Sequence, residues 1–194
     1  MEEPNIKFIN KYKEEFDKNN KHSENLINCL ISNYPENNKV EIVLLKVITI
    51  NSLYSTNIYN GIKIAEHIKN ISNFDNRIQE GDENLINDIA MGHGIKTKKK
   101  SKEYYFYSFA TKYCSIHNNN CYPIYDNILS RLLKKYKEEK IVEDFNNSNL
   151  IIFSEYKKIL TKLKNKYNLD NFSFRDIDKA LWQYGKILSE QNSL

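Results

Sequence analysis

Apolar side chains recur along this chain at the three- and four-residue spacing of an α-helix, with polar residues between them. Ile9, Tyr12 and Phe16 form one such stripe and predict a first helix from about Asn5 to Lys18. Leu26, Cys29, Leu30 and Tyr34 predict a second over Ser23 to Asn33, which Pro35 ends. From Lys39 to Ser55 the apolar positions are so dense, broken only by Lys46, that the pattern predicts a central helix buried on most sides. Ile62, Ala65 and Ile68 are in phase for a helix over Ile58 to Ile71. Asp82 reads as the N-cap of another that runs to Met91 and closes near Gly92 and Gly94.

In the second half, Phe106, Phe109, Ala110, Tyr113, Cys114 and His117 share one face of a helix expected from Lys102 to His117. A loop from Asn118 to Pro123 leads to a helix with Asp126 in its first turn and a stripe of Ile128, Leu129, Leu132, Leu133 and Tyr136. The chain continues in helical phase through Leu150 to Tyr167. Ser173, with Asp176 three residues on, then opens a last helix in the manner of a capping box, and Ile177, Ala180, Leu181, Tyr184 and Leu188 are its inward set. Five glycines and three prolines leave few of the turns that hairpins need. No repeat, Gly/Ser-rich linker or low-complexity boundary divides the chain. The expectation is an all-α fold of about nine helices, forming a single domain over residues 1–194.

Composition narrows this picture. Hydrophobic residues make up 40% and charged residues 28%, a globular balance. An excess of 29 basic over 25 acidic residues, net +4, inclines the chain toward an anionic partner. The acidic start Met1-Glu2-Glu3-Pro4 lacks the basic and apolar regions of a secretory signal. The apolar stretch Ile42 to Ile50 is too short to cross a bilayer, so no membrane association is expected. Cys29, Cys114 and Cys121 are an odd number of cysteines, which fits free thiols in a reducing cytoplasm.

Two clusters carry candidate chemistry. Lys96, Lys98, Lys99, Lys100 and Lys102 place five positive charges within seven residues, suited to phosphate contact or to a solvated loop. Cys114, His117 and Cys121 have ligand-type spacing, and His93 or His67 would have to complete a zinc site. Buried thiols and a helix-ending histidine are the plainer reading, and neither metal nor cofactor is expected. There is no Gly-rich phosphate loop, Ser-His-Asp pattern or HExxH element.

The stretch Tyr107-Ser-Phe-Ala-Thr-Lys112-Tyr-Cys-Ser-Ile-His117, followed by Pro123-Ile-Tyr-Asp126 and an apolar helix, resembles the helix-hairpin-helix DNA glycosylases. That superfamily includes endonuclease III, MutY and the 8-oxoguanine glycosylases. Val43 to Thr56 resembles an early helix of the same enzymes. The family's Leu-Pro-Gly-Val-Gly-like hairpin does not precede Lys112, where Gly92-His-Gly94 and the lysine run stand instead. Its four-cysteine iron-sulfur signature is also absent.

The resemblance implies a DNA repair hydrolase that cleaves an N-glycosidic bond, with or without a following lyase step. Lys112 would be the nucleophile on the sugar and Asp126 the carboxylate that stabilises the cationic sugar. Tyr105, Tyr113 and Trp182 would line the pocket for a flipped base, and the lysines of residues 96 to 102 would bind phosphate. The same residues have plainer roles: Lys112 as an exposed helix lysine, Asp126 as a helix-start residue, the aromatic stripe as core. The alternative function is a non-catalytic helical module that binds nucleic acid or protein, for example in genome defence or regulation. The segments around Ser108 to Lys112 and Asp176 to Gly185 also resemble uncharacterised bacterial proteins.

Overall fold

The structure is a computed structural model that describes residues 1–96, 102–192 and 194. Among the described residues there are ten α-helices: α1 Ile6–Asn19, α2 Lys21–Asn33, α3 Val40–Tyr54, α4 Gly61–Asn70, α5 Phe74–Glu80, α6 Asn84–Ala90, α7 Tyr107–His117, α8 Asn127–Glu138, α9 Phe153–Lys166 and α10 Phe174–Glu190. A 3-10 turn, Asn147–Ile151, precedes α9. Among the described residues there is no strand, only an isolated antiparallel bridge between Lys96 and Glu103. No helix among them is long and apolar enough to cross a membrane.

The chain forms two compact units, one of His22–Tyr122 and one of Met1–Lys21 with Pro123–Leu194. In the terminal unit, α1 packs along α10 and α10 along α8. Phe8, Tyr12 and Tyr184 form an aromatic trio, with ring centroids 4.7 to 5.1 Å apart. Leu129, Leu132, Leu133, Tyr156, Leu160, Ile177 and Leu181 continue this core. Ser173 and Asp176 close the anticipated capping box: Asp176 N–H donates to Ser173 Oγ at 3.1 Å and Ser173 N–H to Asp176 Oδ2 at 3.0 Å.

In the inner unit α3 packs on α4 and α7, and α6 on α7. Its core holds Val43, Val47, Ile50, Ile64, Ile68, Leu85, Ile89 and Phe109. Several expectations shift here. Helix α3 is not buried on most sides: Leu45 and Ile48 are 43% and 54% exposed, while the interrupting Lys46 is fully buried with Val43, Val47 and Ile50. Leu26 and Ile62 also face outward, and Ile27 and Ile64 take the inward places. The apolar content alone does not say which arc of a dense helix finds a partner.

Helix α5 has no counterpart in the periodicity. Seven residues carry too few turns to show a stripe, and the helix rests on Phe74 and Ile78. It ends at Gly81, whose φ of +75° is the left-handed conformation that favours glycine. Helix α7 starts at Tyr107 and not near Lys102, because Tyr104 N–H donates to Ile95 O at 2.9 Å in an extended pairing. The helix expected from Asp82 begins at Asn84, with Asp82 Oδ1 accepting Asn84 N–H at 3.0 Å.

Candidate active-site residues and a buried polar network

Helix α7 is enclosed along most of its length, and three of its buried positions are polar: Thr111, Lys112 and Ser115. Lys112, expected either as a nucleophile or as an exposed helix lysine, is 3% exposed. Its Nζ donates to Ser108 Oγ one turn back at 2.7 Å and lies 5.8 Å from the centroid of the Tyr54 ring. Asp126 is the N-cap of α8, in extended backbone, with Oδ1 accepting Leu129 N–H at 2.9 Å. Lys112 belongs to the inner unit and Asp126 to the terminal one.

Of the lysine run, Lys96 and Lys102 are exposed, while Lys98, Lys99 and Lys100 lie outside the described residues. The described residues that flank this run are bonded to one another. Buried His93 bonds through Nε2 to Tyr104 O at 2.9 Å and through Nδ1 accepts Ile95 N–H at 3.1 Å. Gly94 N–H donates to the Glu103 carboxylate at 2.7 Å.

The three aromatic residues expected around a base have different settings. Tyr105 is exposed, stacks on Tyr107 at 5.7 Å and donates its hydroxyl to Asn87 Oδ1 at 2.6 Å. Tyr113 is fully enclosed between Phe74, Phe109 and His117 and is part of the core. Trp182, in the terminal unit, sits edge-on to Phe16 at 5.6 Å.

Among the described residues no three His, Cys, Asp or Glu side chains are grouped to hold a metal. Burial pushes the Cys114 thiol well above its ordinary range. Burial, and then the charge of Lys46, holds His117 down to about 3.

A polar network absent from the sequence reading lies in the inner unit. Lys46 Nζ donates to Glu36 O at 2.8 Å and to Asn37 Oδ1 at 3.1 Å. The same Asn37 oxygen accepts the Tyr113 hydroxyl at 2.5 Å, and Asn37 Nδ2 donates to Asp75 Oδ1 at 2.6 Å. Asn37 thereby ties α3, α5 and α7 to the loop before α3. Burial lowers Lys46 from 10.5 to about 8, opposed by the charges of Asp75 and Glu36. The one signal in the sequence was a lysine in an apolar run; the asparagine that answers it lies nine residues back, outside any helical phase.

Comparison with known proteins places the chain among relatives. The model of the family HI_0787_N, described as an N-terminal domain, matches residues 7–121. The match ends one residue short of Tyr122, where the inner unit ends. A Haemophilus influenzae protein described as uncharacterized is 33% identical over 147 residues, covering 76% of this chain and 68% of that protein. No solved structure matches.

Proposed function

The chain belongs to the HI_0787_N family, and we propose that it acts on DNA as a base-excision glycosylase, with Lys112 as the candidate nucleophile and Asp126 as the candidate carboxylate. The observation that carries this reading is the burial of the Lys112 side chain in α7, where its amine donates to Ser108 Oγ. The neutral amine of a lysine is the form that attacks carbon.

In the proposed reaction the Lys112 nitrogen bonds to C1′ as the C1′–N bond to the base breaks. The base leaves with the bonding pair and takes up the proton that the amine loses. Opening of the sugar ring then moves a proton to O4′ and leaves a Schiff base. A carboxylate stabilises the positive charge that develops on the sugar, and Asp126, whose Oδ1 accepts the Leu129 N–H at the start of α8, is the candidate for that role. Exposed Tyr105 offers a ring for the flipped base, and Lys96 and Lys102 offer phosphate contacts. A helix-hairpin-helix glycosylase fold is part of the same proposal, supported by the all-helical build.

Borohydride reduction tests it. Duplexes carrying a panel of damaged bases should yield a covalent adduct with the protein, and Lys112→Gln should yield none.

A second reading has its own support: Asp126 already serves as a helix cap, and Lys112 is engaged with Ser108. In that reading the protein is a non-catalytic nucleic-acid-binding module. Salt-sensitive DNA binding without an adduct on any substrate would select it over the glycosylase.

A further inference from the structure

The motif Asp176 to Gly185 on α10 contains a carboxyl group that is 2% exposed, that of Asp178. A carboxyl in such a place is costly unless hydrogen bonds hold it. One of its bonds is to the segment that carries Asp126. Asp178 Oδ2 accepts the backbone N–H of Ile124 at 2.7 Å. The carbonyl of the same residue accepts the hydroxyl of fully buried Tyr156, from α9, also at 2.7 Å. Both backbone groups of Ile124 are thus gripped by buried side chains, two residues before Asp126.

A second point of contact lies two helical turns further along α10. A Cβ on Gly185 would come within 2.6 Å of Ile128 Cγ2, so the absence of a side chain there lets the first turn of α8 seat against α10. Asp126 lies between the gripped residue and the seated one. Its side chain, as N-cap, accepts the N–H of Leu129.

We propose that Asp178 is a positioning residue for Asp126: with Tyr156 it fixes the Pro123–Asp126 segment and so the direction of the Asp126 carboxylate. The value of that placement for catalysis rests on the glycosylase reading; the placement itself does not. All the groups concerned belong to the terminal unit.

Amide-resolved hydrogen exchange on the full chain separates these matters. Leu129 N–H is held by the Asp126 side chain, so Asp126→Ala should speed its exchange about five-fold, the factor a typical N-cap provides. Asp178→Leu should reproduce that acceleration while Leu133 N–H, within the same helix, keeps its protection. Asp178→Asn, whose amide oxygen can still accept from Ile124 N–H, should restore it. If Asp178→Leu does not fold, Tyr156→Phe releases the other side of Ile124 with almost no change of shape and should also speed Leu129. Unchanged Leu129 exchange, or equal acceleration of every α8 amide, overturns the proposal. In the borohydride assay the Asp178 variant should form adduct at least about ten-fold more slowly with DNA affinity within two-fold, since loss of geometry acts on the chemical step. A wild-type protein that forms no adduct refutes the glycosylase reading, and the exchange data still decide the role of Asp178.

Discussion

Replacing Asn37 with leucine removes the polar centre of the inner unit while keeping a side chain of similar shape. The lost bonds are Lys46 Nζ to Oδ1 at 3.1 Å, the Tyr113 hydroxyl to Oδ1 at 2.5 Å and Nδ2 to Asp75 at 2.6 Å. Two of the three involve charged partners, worth about 1.5–3 kcal/mol each, against about 1 kcal/mol for the neutral one. Their sum of about 4–7 kcal/mol is an upper figure, because the bonds share one side chain and are not additive. Apolar burial of the leucine returns about 1–2 kcal/mol. The expected net loss is about 3 kcal/mol. For a chain of 194 residues, with an unfolding entropy of about 2.1 cal/mol/K per residue, that is a fall in Tm of about 7 °C. Circular dichroism melts and urea titrations at pH 7 read both quantities. Tyr113→Phe should cost about 1 kcal/mol alone and less than that in the Asn37→Leu background, since its acceptor is already gone. A fall in Tm below about 2 °C, or full additivity of the two substitutions, would refute the view that Asn37 is the shared partner.

Two further outcomes follow from the packing and the buried charges. Gly185→Ala should separate α10 from α8 at Ile128 and cost about 1–3 kcal/mol in a urea titration, whereas Gly94→Ala, with open space at its Cβ but a φ of +71°, should cost about 1 kcal/mol from backbone strain alone. His117 is held neutral down to about 3 in the folded chain, against 6.5 when exposed. Between these values the unfolded chain binds the extra proton, so stability should fall as pH drops below about 6.5 and show no dependence on this residue above it. The contribution is about 3 kcal/mol at pH 4.5, and His117→Leu should remove that part of the slope between pH 7 and pH 4.5 in urea midpoints.

The helical class was legible in the sequence because an amphipathic helix writes its period into the positions of its apolar residues. Ile9, Tyr12 and Phe16 in α1, Leu129 to Tyr136 in α8 and Ile177 to Tyr184 in α10 all face inward as their spacing requires. The capping box at Ser173 was legible for the same reason, since both its partners lie within one turn. Where a pattern was too short or too dense, the period carried no direction. Helix α5 has seven residues, and α3 has apolar side chains around much of its circumference.

The buried polar groups were decided by the tertiary structure. Lys46 meets Asn37 and Asn37 meets Tyr113 across 76 positions of sequence, and Asp178 meets Ile124 across 54. A polar residue enters the interior only where the fold brings it a partner, and that partner can come from any element. Lys112 is the instructive case: its residue type reads as a solvent-facing side chain, and the packing of α7 encloses it. Periodicity is a local property of a helix and survives in the sequence; the pairing of buried charges and hydrogen bonds is a property of the whole fold and does not.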